Sequence, residues 1–555
     1  MRRMIVQTRV LLSAWTSQSC IWRWPMALAC AIGVGACGGG GGGSNNDTTP
    51  PLPDPQFRVT ATSPFAAGCD GVPALGTLYI NSEVEPMISV NPRNPNNLVG
   101  VWQQDRWSNG GARGLVSGAS LDGGRTWVQS MAAFSHCTGG SAANGGDYAR
   151  ASDPWVSFAP DGSAYQVSLS FNGAVLAAGS SSAILVSRST DGGMTWTNPV
   201  TVIRDEAGFF NDKDSITADP TDARFVYAVW DRLDSATHGP SYFSRTTDSG
   251  VSWESARAIY DPGPLAQTIN NQIVVLPNGT LVNFFTQFNT APNAPAIVTL
   301  SIVRSADKGV TWSAPIVISP VQSLGTRDPE TGSFIRDGST LGSIAVGPQG
   351  TLVAVWQDAR FSSGVRDGIA FSRSQDGGLT WSPATRVNRD PGVPAFLPAV
   401  TIRSDGTYGV SYYDFRSNTA VTTTLLTDYW LARSTDGVTW VESRITGPFD
   451  LAIAPVAEGF FLGDYEGLTS VGTTFVPFYA QTNAGLADRT DIFATLVSSP
   501  GLAVARSAAE TSMRAAAAEP MTMTPQLEQR LRDTMVTVIQ RRMMGRAPAG
   551  STPNP

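Results

Sequence analysis

An eight-residue phrase recurs along this chain, and its recurrence limits the possible folds more than any other feature. Ser189-Thr190-Asp191-Gly192-Gly193-Met194-Thr195-Trp196 reads S-x-D-x-G-x-T-W. Copies run from Ser120 to Trp127, Thr246 to Trp253, Ser305 to Trp312 and Ser374 to Trp381, with a copy one residue shorter from Ser434 to Trp440. The aspartates Asp122, Asp191, Asp248, Asp307, Asp376 and Asp436 stand 69, 57, 59, 69 and 60 residues apart. A fixed phrase at a long, near-constant period marks a repeat architecture. Its chemistry is that of a turn. Asp accepts bonds from the backbone amides just after it, and Gly supplies the positive φ of a tight hairpin. Trp anchors the turn on the neighbouring sheet.

Each phrase follows alternating apolar runs separated by turn residues. In the first unit these are Glu85 to Val90, Leu98 to Gln103 and Leu115 to Leu121. Period-two alternation bounded by Gly, Pro, Asn and Asp reads as strands. Each unit is then a four-stranded antiparallel sheet with the phrase between its third and fourth strands. Such units arranged radially make an all-β propeller. A seventh unit lacks the phrase and supplies three strands, Gly467 to Val471, Phe475 to Gln481 and Asp491 to Val497. Phe57 to Thr62 would be its outer strand, closing the ring with the two chain ends in one sheet and removing a free edge. Seven blades are expected, six being the alternative. The propeller spans 56–499, followed by a linker (500–523), an amphipathic helix (524–545) and a tail (546–555). Thr524-Pro525 reads as an N-cap with proline at the first helical position. Nothing in that helix suggests chemistry.

Charged residues make up 15% of the 555, and the net charge is −7 without long runs. That excludes a basic footprint for nucleic acid. Only His136 and His238 could serve a histidine metal site or a Ser-His-Asp triad, and both fall in polar loops, so exposure is expected. No metal and no cofactor are expected, and a monomer is. Residues 1–37 form a leader: Arg2, Arg3, Arg9 and Arg23 precede a short apolar run from Pro25 to Ala36. Val34-Gly35-Ala36-Cys37 resembles a bacterial lipobox, which implies lipid attachment at Cys37, export, and contact with the membrane only through that anchor. A plain signal peptide and secretion is the alternative. Residues 38–55 form a Gly- and Pro-rich tether. Export would allow a disulfide between Cys69 and Cys137.

Six copies of S-x-D-x-G-x-T-W on a propeller resemble the Asp-box (bacterial neuraminidase repeat) superfamily, the sialidases and their relatives, over residues 56–499. The resemblance implies the fold strongly and a reaction weakly, since one fold hosts many functions. Family sialidases carry Arg-Ile-Pro on the first inner strand, the first of three arginines that clamp the substrate carboxylate. Here that place reads Glu85-Pro86-Met87. The family uses a Tyr nucleophile with a Glu partner and an Asp acid/base.

In a four-stranded meander the phrase turns lie on one face, and the second-to-third loops and blade-to-blade loops lie on the other. The resemblance places the site on that second face. Two residue sets fall there. One is an Asp/Arg pair after the second strand of four units: Asp105 and Arg106, Asp231 and Arg232, Asp358 and Arg360, Asp414 and Arg416. These are either salt bridges or a guanidinium rim for carboxylate, sulfate or phosphate. The other lies at the start of the inner strands. Glu85, Asp153 and Tyr465 align there, in neighbouring blades one, two and seven. By the resemblance Tyr465 would be the nucleophile, Glu85 its partner and Asp153 the acid/base. Glu466 would face the other way. The expected function is a sialidase-like exo-glycosidase acting on terminal sugars, anionic ones among them, of extracellular glycans. A non-catalytic surface propeller binding glycan or protein, and a polysaccharide lyase, are the alternatives.

Overall fold

The computed structural model describes residues 54–71, 76–289, 297–498, 512–514 and 523–543. Cys37, the leader, most of the tether, most of the linker and the C-terminal tail lie outside them. The protein is a β-propeller. Blade one runs outward from Leu78–Val90 through Leu98–Trp107 and Ala112–Ser120 to Val128–Ser130, each strand antiparallel to the next. Five further blades begin with the strands Arg150–Phe158, Phe210–Ala218, Ala266–Val275, Gly342–Val346 and Ala395–Ile402. These innermost strands touch in ring order. Gly467–Val471, Thr474–Gly485 and Asp488–Thr495 make a last antiparallel group between the sixth blade and the first. Gln56–Arg58 pairs with the outermost of these, Gln56 opposite Thr495 and Arg58 opposite Phe493, so strands from both ends of the ring share blade seven. Among the described residues the linker contributes Ser512–Arg514, which adds a strand to the edge of blade six at Thr439–Val441.

The boxes form the turns their chemistry requires. Asp191 Oδ1 accepts from the Met194 and Thr195 amides at 3.1 and 3.0 Å and from Ser189 Oγ at 2.7 Å. Its other oxygen accepts from the Thr195 hydroxyl at 2.5 Å. Gly193 has φ +92°, and a Cβ there would run into Val99 of the preceding blade. Box tryptophans face that preceding blade too. Trp127 meets Phe478 with ring centroids 5.6 Å apart, and Trp196 Nε1 donates to Ser130 Oγ at 3.0 Å. Between the sheets sit fully buried aromatic residues from the second strands, Trp102, Trp230 and Trp356. Burying one such ring contributes about 2–3 kcal/mol.

Cys69 and Cys137 form a disulfide across 68 residues, Cα atoms 4.9 Å apart. His136 and His238 are half-buried rather than exposed, each bonded to aspartate: His136 to Asp147, His238 to Asp234 and Asp261. The C-terminal helix α1 spans Pro525–Met543. Thr524 Oγ1 accepts from the Leu527 amide at 3.2 Å, as an N-cap should. Leu527 and Met535 are buried, and Met535 packs with Phe284, Phe288 and Trp356 of blades four and five.

Candidate functional site

One local device aims the inner strands at the centre. In five blades the first strand slips register by a two-residue bulge, and the first bulged residue is left-handed. These are Glu85 (φ 54°), Asp153 (φ 53°), Lys213 (φ 48°), Asn270 (φ 63°) and Leu397 (φ 56°). None is glycine, so each position carries strain that the surrounding sheet must hold. A bulge re-aims the side chain it carries. In blades one, two and three those side chains are ionisable, and they meet.

Lys213 is the centre of the cluster. Its Nζ lies 3.1 Å from Glu85 Oε1, 3.3 Å from Asp153 Oδ1 and 2.8 Å from Asp464 Oδ2. Asp464 comes from the segment leading into blade seven. It also takes a two-point bond from Arg336, at 3.1 and 2.7 Å, on the short strand Ile335–Arg336 before blade five. Glu85 accepts from the Gln103 side-chain amide and from the Asp464 backbone amide at 3.2 Å. All of these charged groups but Arg336 are at least nine-tenths buried. Burial by itself would discharge Lys213, but Asp153, Asp464 and Glu85 outweigh it and hold the ammonium charged. Burial likewise pushes Asp464 up, yet Arg336 and Lys213 hold it well below the usual carboxylate range. For Glu85 burial wins over Lys213, and its pKa is raised to about 7.

The cluster forms part of the wall of a cavity of about 380 Å³. The rest comes from second-to-third-strand loops (Trp107–Gly111, Asn172–Val175), inner-strand starts and the 338–341 segment. This is the face opposite the boxes. Apolar surface from Trp107, Phe171, Phe210, Ile269 and Leu341 lies among the charges. Arg106 is also there, 2% exposed, donating to Gln103 Oε1 at 2.6 Å and lying 4.8 Å from the centroid of the Phe461 ring, which Arg336 also covers at 4.5 Å. Among the described residues Arg106 has no ion pair. Burial and the neighbouring Arg336 lower its pKa to about 10, so it stays charged at neutral pH.

Helix α1 supplies the remaining wall through Val538, Arg541 and Arg542. Arg542 is 9% exposed. It reaches Asp212 Oδ2 at 2.9 Å and Gln267 Oε1 at 2.9 Å, and it ion-pairs with Asp231. Arg541 donates to the Glu458 carbonyl at 3.2 Å. The helix that suggests no chemistry in sequence therefore brings two guanidinium groups to the site.

The sequence-derived residues divide. Glu85 and Asp153 come together as aligned. Tyr465 does not join them at the cavity. Its hydroxyl donates to the Pro154 carbonyl at 3.2 Å, its ring packs on Trp155, and it faces a separate cleft of about 20 Å³. Burial, then the charges of Glu85 and Asp153, raise its pKa far above the usual phenol value, which is unsuited to a nucleophile. The blade-seven alignment slips by one residue, so Asp464 occupies the central position. Glu466 faces away, its carboxylate accepting from the Ala480 amide at 3.1 Å.

Of the Asp/Arg pairs only Arg106 reaches the cavity; the expected guanidinium rim does not form. Arg360 binds its own Asp358 at 2.7 Å, and Arg416 binds its own Asp414 and stacks on Trp430 at 3.6 Å. Arg232 pairs with Asp205 at 2.6 Å and covers Phe209, while its neighbour Asp231 holds Arg542. Asp105 accepts from Ser63 Oγ and the Asn81 amide at 2.8 and 3.0 Å. At Asp358 and Asp414 the pairing is sheet-internal, because an arginine two residues after a strand-end aspartate folds back onto it; Arg106 and Arg232, one residue after theirs, bind Gln103 and Asp205 instead.

No family model matches this chain, and no curated protein matches it. Solved structures resemble it loosely. A protein of unknown function from Dyadobacter fermentans is 14% identical, covering 80% of this chain and 97% of its own, with a TM-score of 0.42. A Hadza microbial sialidase is 16% identical over 73% of this chain and 75% of its own, TM-score 0.43. An alpha-L-arabinanase from Penicillium chrysogenum, complexed with arabinobiose, is 14% identical over 62% and 93%, TM-score 0.38. Likenesses this loose say nothing of activity.

Proposed function

We propose that the cavity is a glycosidase-type active site for a terminal sugar bearing a negative charge. The observation that carries this reading is the meeting of Glu85 and Asp153, from neighbouring blades, at one buried cavity. Breaking a glycosidic bond calls for one carboxyl that holds its proton near neutrality and a second carboxylate across the sugar. Glu85, raised to about 7 by burial, suits the proton donor. Asp153, on the equivalent bulge of blade two, is its partner. Arg106, charged and without an ion pair among the described residues, supports an anionic substituent. A cavity of about 380 Å³ walled by α1 suits a terminal sugar better than a long chain. Tyr465 has no part in this reading. Export with a lipid on Cys37 belongs to the same proposal, supported by the leader and by the Cys69–Cys137 bridge.

A second reading, a non-catalytic propeller that binds glycan or protein, draws on Lys213. Its ammonium pairs with both carboxyls and would have to share them with a substrate. The full chain should be screened against fluorogenic sialosides, uronides and neutral glycosides. Glu85→Gln and Asp153→Asn are each expected to lower kcat by about 10²–10⁴. Arg106→Met should raise KM for anionic substrates alone, and Tyr465→Phe should change little. Turnover indifferent to both carboxyl substitutions would sink the site. Glycan binding without any turnover would favour the second reading.

A further inference from the structure

A second group of carboxyls lies away from the cavity, at the seam where blade seven meets blade one. Ser82 pairs with Thr490 across that seam, which sets Glu83 beside Asp488 and Asp491. One carboxylate oxygen from each lies within 4.8 Å of the others. Glu83 is 0% exposed and Asp491 1%. Asp491 accepts from Thr60 Oγ1 and Asn483 Nδ2, both at 2.6 Å, and Glu83 accepts from Gln104. Against these three acids the described residues place one guanidinium in ion-pair range. That is Arg58, 2.9 Å from Asp488 and 2.6 Å from Asp491, with its own side chain 46% exposed.

The cluster is therefore short of positive charge, and its orphaned atoms say where. Glu83 Oε2 and Asp488 Oδ1 are both buried, and neither has a hydrogen-bond partner among the described residues. A buried carboxylate oxygen left unpaired is among the costliest groups a fold can hold, and such an atom calls for an explanation.

We propose that Glu83, Asp488 and Asp491 bind a hard divalent cation of calcium's class. Carboxylate oxygens suit such ions, and the cluster offers no imidazole or thiolate of the kind zinc prefers. Oxygens bound to one calcium ion at 2.3–2.6 Å stand at most about 5 Å apart, which the observed spread meets. The ion would join the first strand of blade one to the third strand of blade seven. Through Thr60 and Arg58 it would also tie in the N-terminal segment, stapling the ring where its ends meet.

Thermal unfolding of the full chain tests this, in EGTA and across calcium chloride up to about 10 mM, tenfold above the weakest calcium-module affinities. Saturation near 100-fold over Kd should raise Tm by about 3 °C for a ring this size, and calorimetric titration with calcium chloride should report one site. Glu83→Gln should abolish the rise while leaving the EGTA Tm near wild type's. Asp488→Asn, at the more exposed position, should abolish it too, and it carries the test if Glu83→Gln does not fold. An identical Tm in EGTA and calcium, with no heat of binding, would leave Arg58 as the one cation there among the described residues and overturn the proposal. A rise that survives both substitutions would overturn it as well.

Discussion

Replacing Lys213 with methionine isolates the charge at the centre of the ring. The stem length stays and the left-handed backbone is equally strained in both residues, so the ammonium is the main difference. Three carboxyls lose a cation held at 2.8–3.3 Å. At an effective dielectric of about 20 each such contact is worth about 5 kcal/mol gross. Desolvation of the lysine, which the substitution removes, offsets much of that, and breaking a buried pair typically costs about 3–5 kcal/mol net. Arg336 still holds Asp464, so the loss falls on Glu85 and Asp153.

The sign with pH follows. Glu85 already keeps its proton up to about pH 7, above its unfolded value. By itself that group makes the native state lose stability as pH rises from about 4.5 to 7. Without Lys213 more proton uptake is needed, and each extra proton steepens the slope by about 1.4 kcal/mol per pH unit. The gap between wild type and Lys213→Met should therefore be about 3–5 kcal/mol at pH 8 and near 1 at pH 5. With unfolding entropy scaling by residue, each kcal/mol moves Tm by about 1 °C here. Scanning calorimetry of both proteins at pH 5, 6, 7 and 8 would show it. A gap independent of pH, or a variant as stable as wild type at pH 8, would mean that Lys213 does not hold these carboxyls together.

Two further outcomes can be checked on the same material. Asp376 is held near pKa 2, first by the Thr380 hydroxyl and then by its amide; its contribution is present above about pH 4 and lost as pH falls toward 2, so the Tm deficit of Asp376→Asn should be widest at pH 6 and vanish near pH 2. Arg542→Ala leaves Asp212 and Asp231 without their guanidinium; α1 should release before the ring pays that cost, seen as at least about tenfold faster amide exchange across 525–543 with the blades unchanged.

What could be read in the sequence was what local backbone chemistry writes. The box needs Asp, Gly and Trp close together within one turn, so it declares itself in six blades, even in the copy one residue shorter, and fixes their register. Glu85 and Asp153 were legible because the repeats align on their turns, and each also precedes a proline inside the bulge, Glu85-Pro86 and Asp153-Pro154. Lys213 occupies the same bulge but is followed by Asp214, so no proline marks its place in the sequence. Blade seven has no such bulge, and a one-residue slip in an extended segment turns a side chain to the opposite side. That slip exchanged Asp464 for Tyr465. Arg336, Arg541 and Arg542 arrive from a two-residue strand between blades and a distant helix, and no local pattern records where those dock. The Asp/Arg pairs share a place in the repeat but not a role: Arg360 and Arg416 tie strand ends to themselves, Arg232 holds Asp205, and Arg106 alone reaches the cavity.

The pairing of Gln56–Arg58 with the last strand of blade seven also sets a timetable for synthesis. Arg58 opposes Phe493, so the first of these strands leaves the ribosome more than four hundred residues before its partner. At about 5–20 residues per second it waits roughly 20–90 s. Throughout that time six blades can form in order while one edge of the nascent ring stays open to any extended peptide nearby. Closing so long a loop costs chain entropy before any contact repays it. Final assembly of this propeller is therefore a single late event, and a substitution that weakens the seam should lower yield before it alters any property of the finished ring.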